Sequence, residues 1–209
     1  MDVYLLRHAQ CDANLTNQLA VDAYNSLTKQ GHQQAQEIVF HLQKLNPCKV
    51  FCSTMARTRD TIRPFLQYYD QEAIYTELLA EGQLVLDKSM HETIEPKYTD
   101  SEMGSIPVVG EEPGAFLKRA ELAVDMVRGS GLDRVLIVSH GHMIRELINL
   151  YVGNADQRIR FPHENVGLTS ITLGDICSLN YVNRPLCSGV SNGRPDPQSF
   201  RPPVFSTET

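Results

Sequence analysis

The hexapeptide Arg134-Val135-Leu136-Ile137-Val138-Ser139 constrains this chain more than any other stretch. Its apolar run is unbroken, so a strand built from it has no face suited to water. Such a strand belongs in a parallel sheet covered by helices on both faces. Val3-Tyr4-Leu5-Leu6 and Lys49-Val50-Phe51-Cys52 are runs of the same kind. Between them lie segments with helical period. Ala35, Ile38, Val39 and Leu42 share one face; Phe116, Leu117, Ala120, Ala123, Val124 and Val127 share another. Strands alternating with amphipathic helices predict an α/β domain.

Turn chemistry sets the expected boundaries. Thr28 is placed to cap a helix that ends at Asn46-Pro47, because proline disfavours helical backbone in the residue before it. Residues 14–26 are polar and read as a loop. A helix over 55–69 follows the cap pair Ser53-Thr54 and carries Pro64, which should bend it or mark an early turn. Residues 74–76 read as a short strand and 143–151 as a helix stopped near Gly153. Residues 168–173 and 176–182 read as a strand pair turning at Gly174-Asp175. Residues 82–114 hold Gly104, Pro107, Gly110 and Pro113 as breakers and read as a lid-like insertion. Pro, Ser and Gly dominate from Arg184 onward, so residues 184–209 read as a flexible tail after a domain of residues 1–183.

Polar residues collect where the strands end. The first strand ends in Arg7-His8, the second in Ser53 with Arg57 one turn into the next helix, and the late one in Ser139-His140-Gly141. As parallel neighbours, these ends would meet in one crevice, where open α/β sheets bind ligands. The residue types suit phosphoryl transfer. A guanidinium grips a phosphate through paired hydrogen bonds, and a neutral imidazole attacks phosphorus and carries it covalently.

Bulk properties narrow the function classes. A chain of 209 residues can bury one substantial core. A net charge of −6 argues against general nucleic-acid affinity, which needs a basic footprint, yet permits a locally positive pocket. No apolar stretch reaches the ~20 residues of a membrane helix. Met1-Asp2 lacks the basic start of a signal peptide. The expectation is a cytoplasmic protein with neither membrane nor nucleic-acid partners. Five cysteines, an odd number, favour free thiols. Cys48 and Cys52 are spaced like half a zinc site, but no second pair completes it, so they read as small core residues and no metal is expected.

Several motifs occur together in order: Leu6-Arg7-His8 then Asn14; Leu27-Thr28 then Gly31 and Gln34-Ala35; Ser53 then Arg57-Thr58 and Thr61; Val138-Ser139-His140-Gly141. Together they resemble the histidine phosphatase superfamily, also called the phosphoglycerate mutase-like family, over roughly residues 3–173. The resemblance implies a three-layer α/β/α sandwich with a mostly parallel central sheet. It implies a metal-independent phosphomonoesterase without a cofactor, acting on a small phosphorylated molecule. His8 then matches the nucleophile, Arg7 and Arg57 the phosphate-binding arginines, His140 the second histidine and Asn14 a further pocket residue. The family's general acid commonly sits in a Leu-x-Glu element. Leu79-Ala80-Glu81 fits it, and Glu77 is the rival four residues earlier.

The chain departs from the family pattern in places. Ala9 follows His8 where the family has glycine. A Gly-Glu-Ser/Thr element is altered to Gly110-Glu111-Glu112-Pro113. The extended motif of glycolytic mutases is not found. Substrate identity and oligomeric state stay open. So do other uses of the same pocket: a phosphomutase, a protein phosphohistidine phosphatase, or a phosphate-binding regulator without turnover. A metal site built from His8, His140 and Glu81 is disfavoured by the adjacent arginines, which repel a divalent cation. His163, in Phe161-Pro162-His163-Glu164-Asn165, is placed to approach the site from a late loop. Ser53 and Ser139 read as hydrogen-bonding supports, since neither lies in a nucleophile elbow.

Overall fold

The computed structural model describes residues 1–16, 25–82, 111–154, 159 and 161–187. Strands β1 (Asp2–Arg7), β2 (Lys49–Ser53), β3 (Ala73–Thr76), β4 (Arg134–Ser139), β5 (Gly167–Thr172) and β6 (Ser178–Pro185) form one sheet. Their order is β3-β2-β4-β1-β5-β6. The first four in that order run parallel, and β5 and β6 join antiparallel beyond β1. The helices are α1 (Asp12–Thr16), α2 (Lys29–Glu37), α3 (Val39–Leu45), α4 (Ala56–Tyr69), α5 (Pro113–Gly129) and α6 (Gly141–Tyr151). A 3-10 turn spans Glu77–Leu79.

Alternation along the strands divides the core into two layers. Val3, Leu5, Phe51, Val135 and Ile137 pack with Ala120 and Val124 of α5 and Met143 and Leu147 of α6. Leu6, Val50, Cys52, Leu136 and Val138 pack on the opposite face with Ala35, Ile38, Leu42, Ile62 and Phe65. The result is a three-layer α/β/α sandwich. Val135 to Val138 have no exposed surface at all, and burying each such side chain contributes roughly 1.5–3 kcal/mol. That is why the run on β4 tolerates no polar residue.

Several boundaries differ from expectation. The helix capped by Thr28 is divided at Ile38 into α2 and α3, although the ladder continues through Ile38 N–H to Gln34 O and Leu42 N–H to Ile38 O. It ends at Asn46, whose left-handed backbone (φ 46) turns the chain toward β2. The expected loop at 14–26 begins inside α1, fixed where Asn14 N–H meets Cys11 O. Helix α4 runs through Pro64. Cys52 is buried as expected, whereas Cys48 is exposed, because it precedes β2 rather than lying on it. β6 carries Arg184 and Pro185 in register with Leu168 and Gly167, past the expected domain edge. Most of the expected lid at 82–114, namely residues 83–110, and most of the expected tail, residues 188–209, lie outside the described residues, and α5 already begins at Pro113 within the expected lid.

The segment after His8 is fastened to α2. Gln10 N–H donates to Gln34 Oε1 at 2.8 Å, and Thr28 N–H donates to Gln10 O at 3.0 Å. Gly31 sits so close that an added Cβ would stand 2.0 Å from Gln10 O. That contact is with backbone and cannot be relieved by a rotamer change. Gly31→Ala is therefore expected to lower stability by about 1–3 kcal/mol, read as a lower urea midpoint. An unchanged midpoint would show that this junction is not close-packed.

Candidate active site

The parallel register brings three strand ends level. Arg7 pairs with Ser139 across β1 and β4, and Cys52 with Val138 across β2 and β4, so Ser53 lies in the same row. The next residues, His8 and His140, project from adjacent strand ends. Their ring centroids are 5.2 Å apart at 57°. Both are buried.

Each imidazole has its tautomer set by a partner. His8 Nδ1 lies 2.7 Å from Ala9 O. A carbonyl can only accept, so Nδ1 carries the proton and Nε2 keeps its lone pair. Arg57 Nε donates to His140 Nδ1 at 3.1 Å. Its Nε2–H then donates to Ser53 Oγ at 2.9 Å. Burial pushes both rings well below the ordinary imidazole pKa, and the Arg57 and Arg7 guanidiniums push the same way. Both rings are neutral at pH 7, and His8 presents a nucleophilic nitrogen beside cationic groups.

Arg57 reaches this position because α4 starts immediately after β2. Ser53 Oγ accepts from Met55 N–H at 3.3 Å, and Thr58 Oγ1 lies 3.0 Å from Ser53 O. Thr61 joins the two sides of the site. Its hydroxyl donates to Arg57 O at 2.6 Å and accepts from Ala9 N–H at 2.9 Å. Ala9 is not among the described residues with positive φ, so alanine suffices where the family pattern has glycine.

A second tier comes from the segment before β5. Arg7 Nη1 donates to His163 O. Asn165 Nδ2 donates to His8 O and to Asn14 Oδ1, each at 3.0 Å. Val166 N–H points at Arg7 O, 3.2 Å away. Val166 itself is left-handed (φ 53), a costly conformation for a β-branched residue. Asn14 is thus brought to the site through Asn165. Its Oδ1 also accepts from Cys11 N–H at 3.1 Å, which leaves the amide NH2 as the end able to meet a ligand.

Glu81 approaches from the turn after β3. Its Oε1 accepts from Gly82 N–H at 3.0 Å and from His142 N–H at 3.2 Å, which seats the carboxylate at the N-terminus of α6. Glu77 lies within the preceding 3-10 turn. Ser139 Oγ donates to Leu79 O at 2.7 Å and ties that turn to β4. Among the described residues, no group of three or more His, Cys, Asp or Glu could hold a metal ion. The structure thus gathers Arg7, His8, Arg57 and His140 at one point, with Asn14 reached through Asn165 and Glu81 held two residues past His140. Asn165 and Thr61 are the supports whose roles the sequence reading did not assign. Asn165 gives no local signal, because both its partners lie about 150 residues away in sequence.

His163 is buried and held down to about pKa 4, chiefly by burial. With His8 and His140, it makes three imidazoles that are neutral when folded. Once unfolded they take up protons below about pH 6.5. The unfolded state then binds more protons than the folded one, so stability is full above that pH and falls as pH drops. For His163 the loss accumulates between pH 6.5 and about 4 and amounts to on the order of 3 kcal/mol. The urea midpoint is expected to fall between about pH 7.5 and about pH 5, and less steeply in His163→Gln. A midpoint flat over that range would contradict the neutral assignment.

The geometry can be set beside known proteins. A family model described as histidine phosphatase superfamily (branch 1) matches residues 3–178. A probable phosphatase of Schizosaccharomyces pombe is 37% identical over 82 residues, which is 39% of each chain. A broad-specificity phosphatase of Saccharomyces cerevisiae is 28% identical over 156 residues, covering 70% of this chain and 68% of that protein. The solved structure of a putative alpha-ribazole-5'-P phosphatase from Escherichia coli covers 91% of this chain and 99% of its own, with a TM-score of 0.71 at 23% identity. That last likeness is one of fold. With the family model spanning nearly all of β1 through β5 and the histidine pair, this chain belongs to the histidine phosphatase superfamily, branch 1.

Proposed function

We propose that this protein hydrolyses phosphate monoesters of small molecules through a phosphohistidine on His8. One observation carries the reading: His8, with its Nε2 lone pair free of the proton, stands 5.2 Å from His140 and beside Arg57 and Arg7. The yeast relative named a broad-specificity phosphatase supports it.

In the first half-reaction His8 Nε2 attacks phosphorus in line, and the bond to the leaving oxygen breaks. The Glu81 carboxyl gives that oxygen a proton, so an alcohol departs. In the second half-reaction water attacks the phosphorus. The Glu81 carboxylate takes the water's proton, the N–P bond breaks and neutral His8 returns with inorganic phosphate. Arg7 and Arg57 hold the phosphoryl oxygens, and their fixed charges stabilise the transition state. The His140 Nε2–H, which rests on Ser53 Oγ, is the donor for which an anionic phosphoryl oxygen competes. The Asn14 amide supplies a further donor. The guanidiniums supply the positive charge, so no metal is needed.

The catalytic domain extends through β6. All five cysteines are free thiols, which fits a reducing, cytoplasmic setting without disulfides. No helix among the described residues is long and apolar enough to cross a membrane, and the net charge of −6 fits a small substrate better than nucleic acid.

Hydrolysis of a nitrophenyl phosphate near neutral pH tests the reading. Wild type is expected to turn over in excess chelator and to yield an acid-labile phosphoenzyme on rapid quench. His8→Ala should lose both, with a rate loss on the order of a thousandfold or more. Full activity in His8→Ala would overturn the phosphohistidine route, and loss of wild-type activity with chelator would overturn its independence of metal.

A further inference from the structure

Arg119, on α5, lies outside the histidine pair and is engaged by both side-chain and backbone partners. Its Nε and Nη2 hold Glu111 Oε1 and Oε2 at 2.9 and 2.6 Å, a side-on carboxylate pair. Its Nη1 faces three backbone carbonyls: Glu77 O at 3.2 Å, Leu78 O at 3.1 Å and Ala80 O at 2.9 Å. These are the acceptors of the 3-10 turn and of the residue just before Glu81. The guanidinium also lies over the Phe116 ring, 5.1 Å from its centroid.

The residue after Glu81 is seated on the same helix. A Cβ added to Gly82 would stand 2.6 Å from Phe116 Cε2, so Gly82 rests directly on that ring. Glu81 is thus bracketed. Its N-terminal neighbour hangs on Arg119, its C-terminal neighbour rests on Phe116, and its carboxylate reaches the N-terminus of α6. Leu79 anchors the turn in the core and Ser139 Oγ holds its carbonyl, which leaves the neighbouring carbonyls to be gathered from the other side. A 3-10 turn is short and has poorer hydrogen-bond geometry than an α-helix. The cation holds it from outside, and Glu111 holds the cation side-on.

From this arrangement we infer that Arg119, oriented by Glu111, is a positioning residue that sets where Glu81 delivers its proton. This inference rests on the reading of Glu81 as general acid. It also gives Glu111 a job: the altered element keeps this carboxylate as the orienting partner of Arg119.

A general acid matters most when the leaving group is poor. The test is kcat/KM for nitrophenyl phosphate and for unsubstituted phenyl phosphate, because that constant reports the first, ester-cleaving step. The readout is the ratio of the two. Relative to wild type, Glu81→Gln is expected to shift the ratio against phenyl phosphate by about a hundredfold, and Arg119→Ala in the same sense by about tenfold or more. A purely structural role would lower both substrates alike. An Arg119→Ala protein with the wild-type ratio, alongside a shifted Glu81→Gln, would overturn the inference and leave the general acid standing. An unshifted ratio in Glu81→Gln would overturn both. If Arg119→Ala does not fold, Glu111→Gln keeps size and shape while removing the charge that orients Arg119. It should shift the ratio in the same direction by several-fold, and no shift would again overturn the inference.

Discussion

In-register parallel pairing of β4 with both β1 and β2 is the constraint on which the site depends. Side chains at a strand end are placed by backbone hydrogen bonds, which leave little freedom in the axial direction. Because Arg7 is level with Ser139, and Cys52 with Val138, the residues one step further arrive together. A slip of one residue on β4 would turn Val135 and Ile137 toward the wrong helical layer and move His140 away from His8. The apolar side chains that fix the register therefore also fix the chemistry.

The site concentrates positive potential in a chain whose net charge is −6. Each electrostatic neighbour acting on His140 drives it toward the neutral form, and the two arginines do the same for His8. A phosphate dianion fits such a place, because its charge offsets the guanidiniums while the imidazoles need no counterion. Preorganisation is visible in the partners that hold each cation or ring: His163 O for Arg7, His140 for Arg57, Ala9 O for His8.

Where the information was local, the sequence could be read. The run at β4 has the expected ends because a doubly buried strand admits no polar residue until it leaves the sheet. Thr28 caps α2 as its side chain suggests, accepting from Gly31 N–H at 3.0 Å. The histidine and arginine motifs were legible because each is short and local and they follow one another in the family's order. Other features lay beyond reach for physical reasons. The end of β6, Arg184-Pro185, resembled a tail because an edge strand is held by backbone bonds to β5 and can be polar and proline-bearing. The acceptors of Arg119 are carbonyls, which every residue has, so no pattern marks them. Glu111 looked like a lost motif, although its carboxylate is engaged.

The contacts that hold the carbonyl side of His8 arrive late in the chain. His8 O is held by Asn165, 157 positions downstream, and Arg7 by the carbonyl of His163, 156 positions downstream. During synthesis β1 emerges first, while the segment that steadies its end comes only after the whole of β4 and α6. A nascent chain that has completed the histidine pair already has His8 N–H on Ser139 O, yet still lacks the support of Asn165 on His8 O. That support is completed only when the segment leading into β5 docks beside the end of β1.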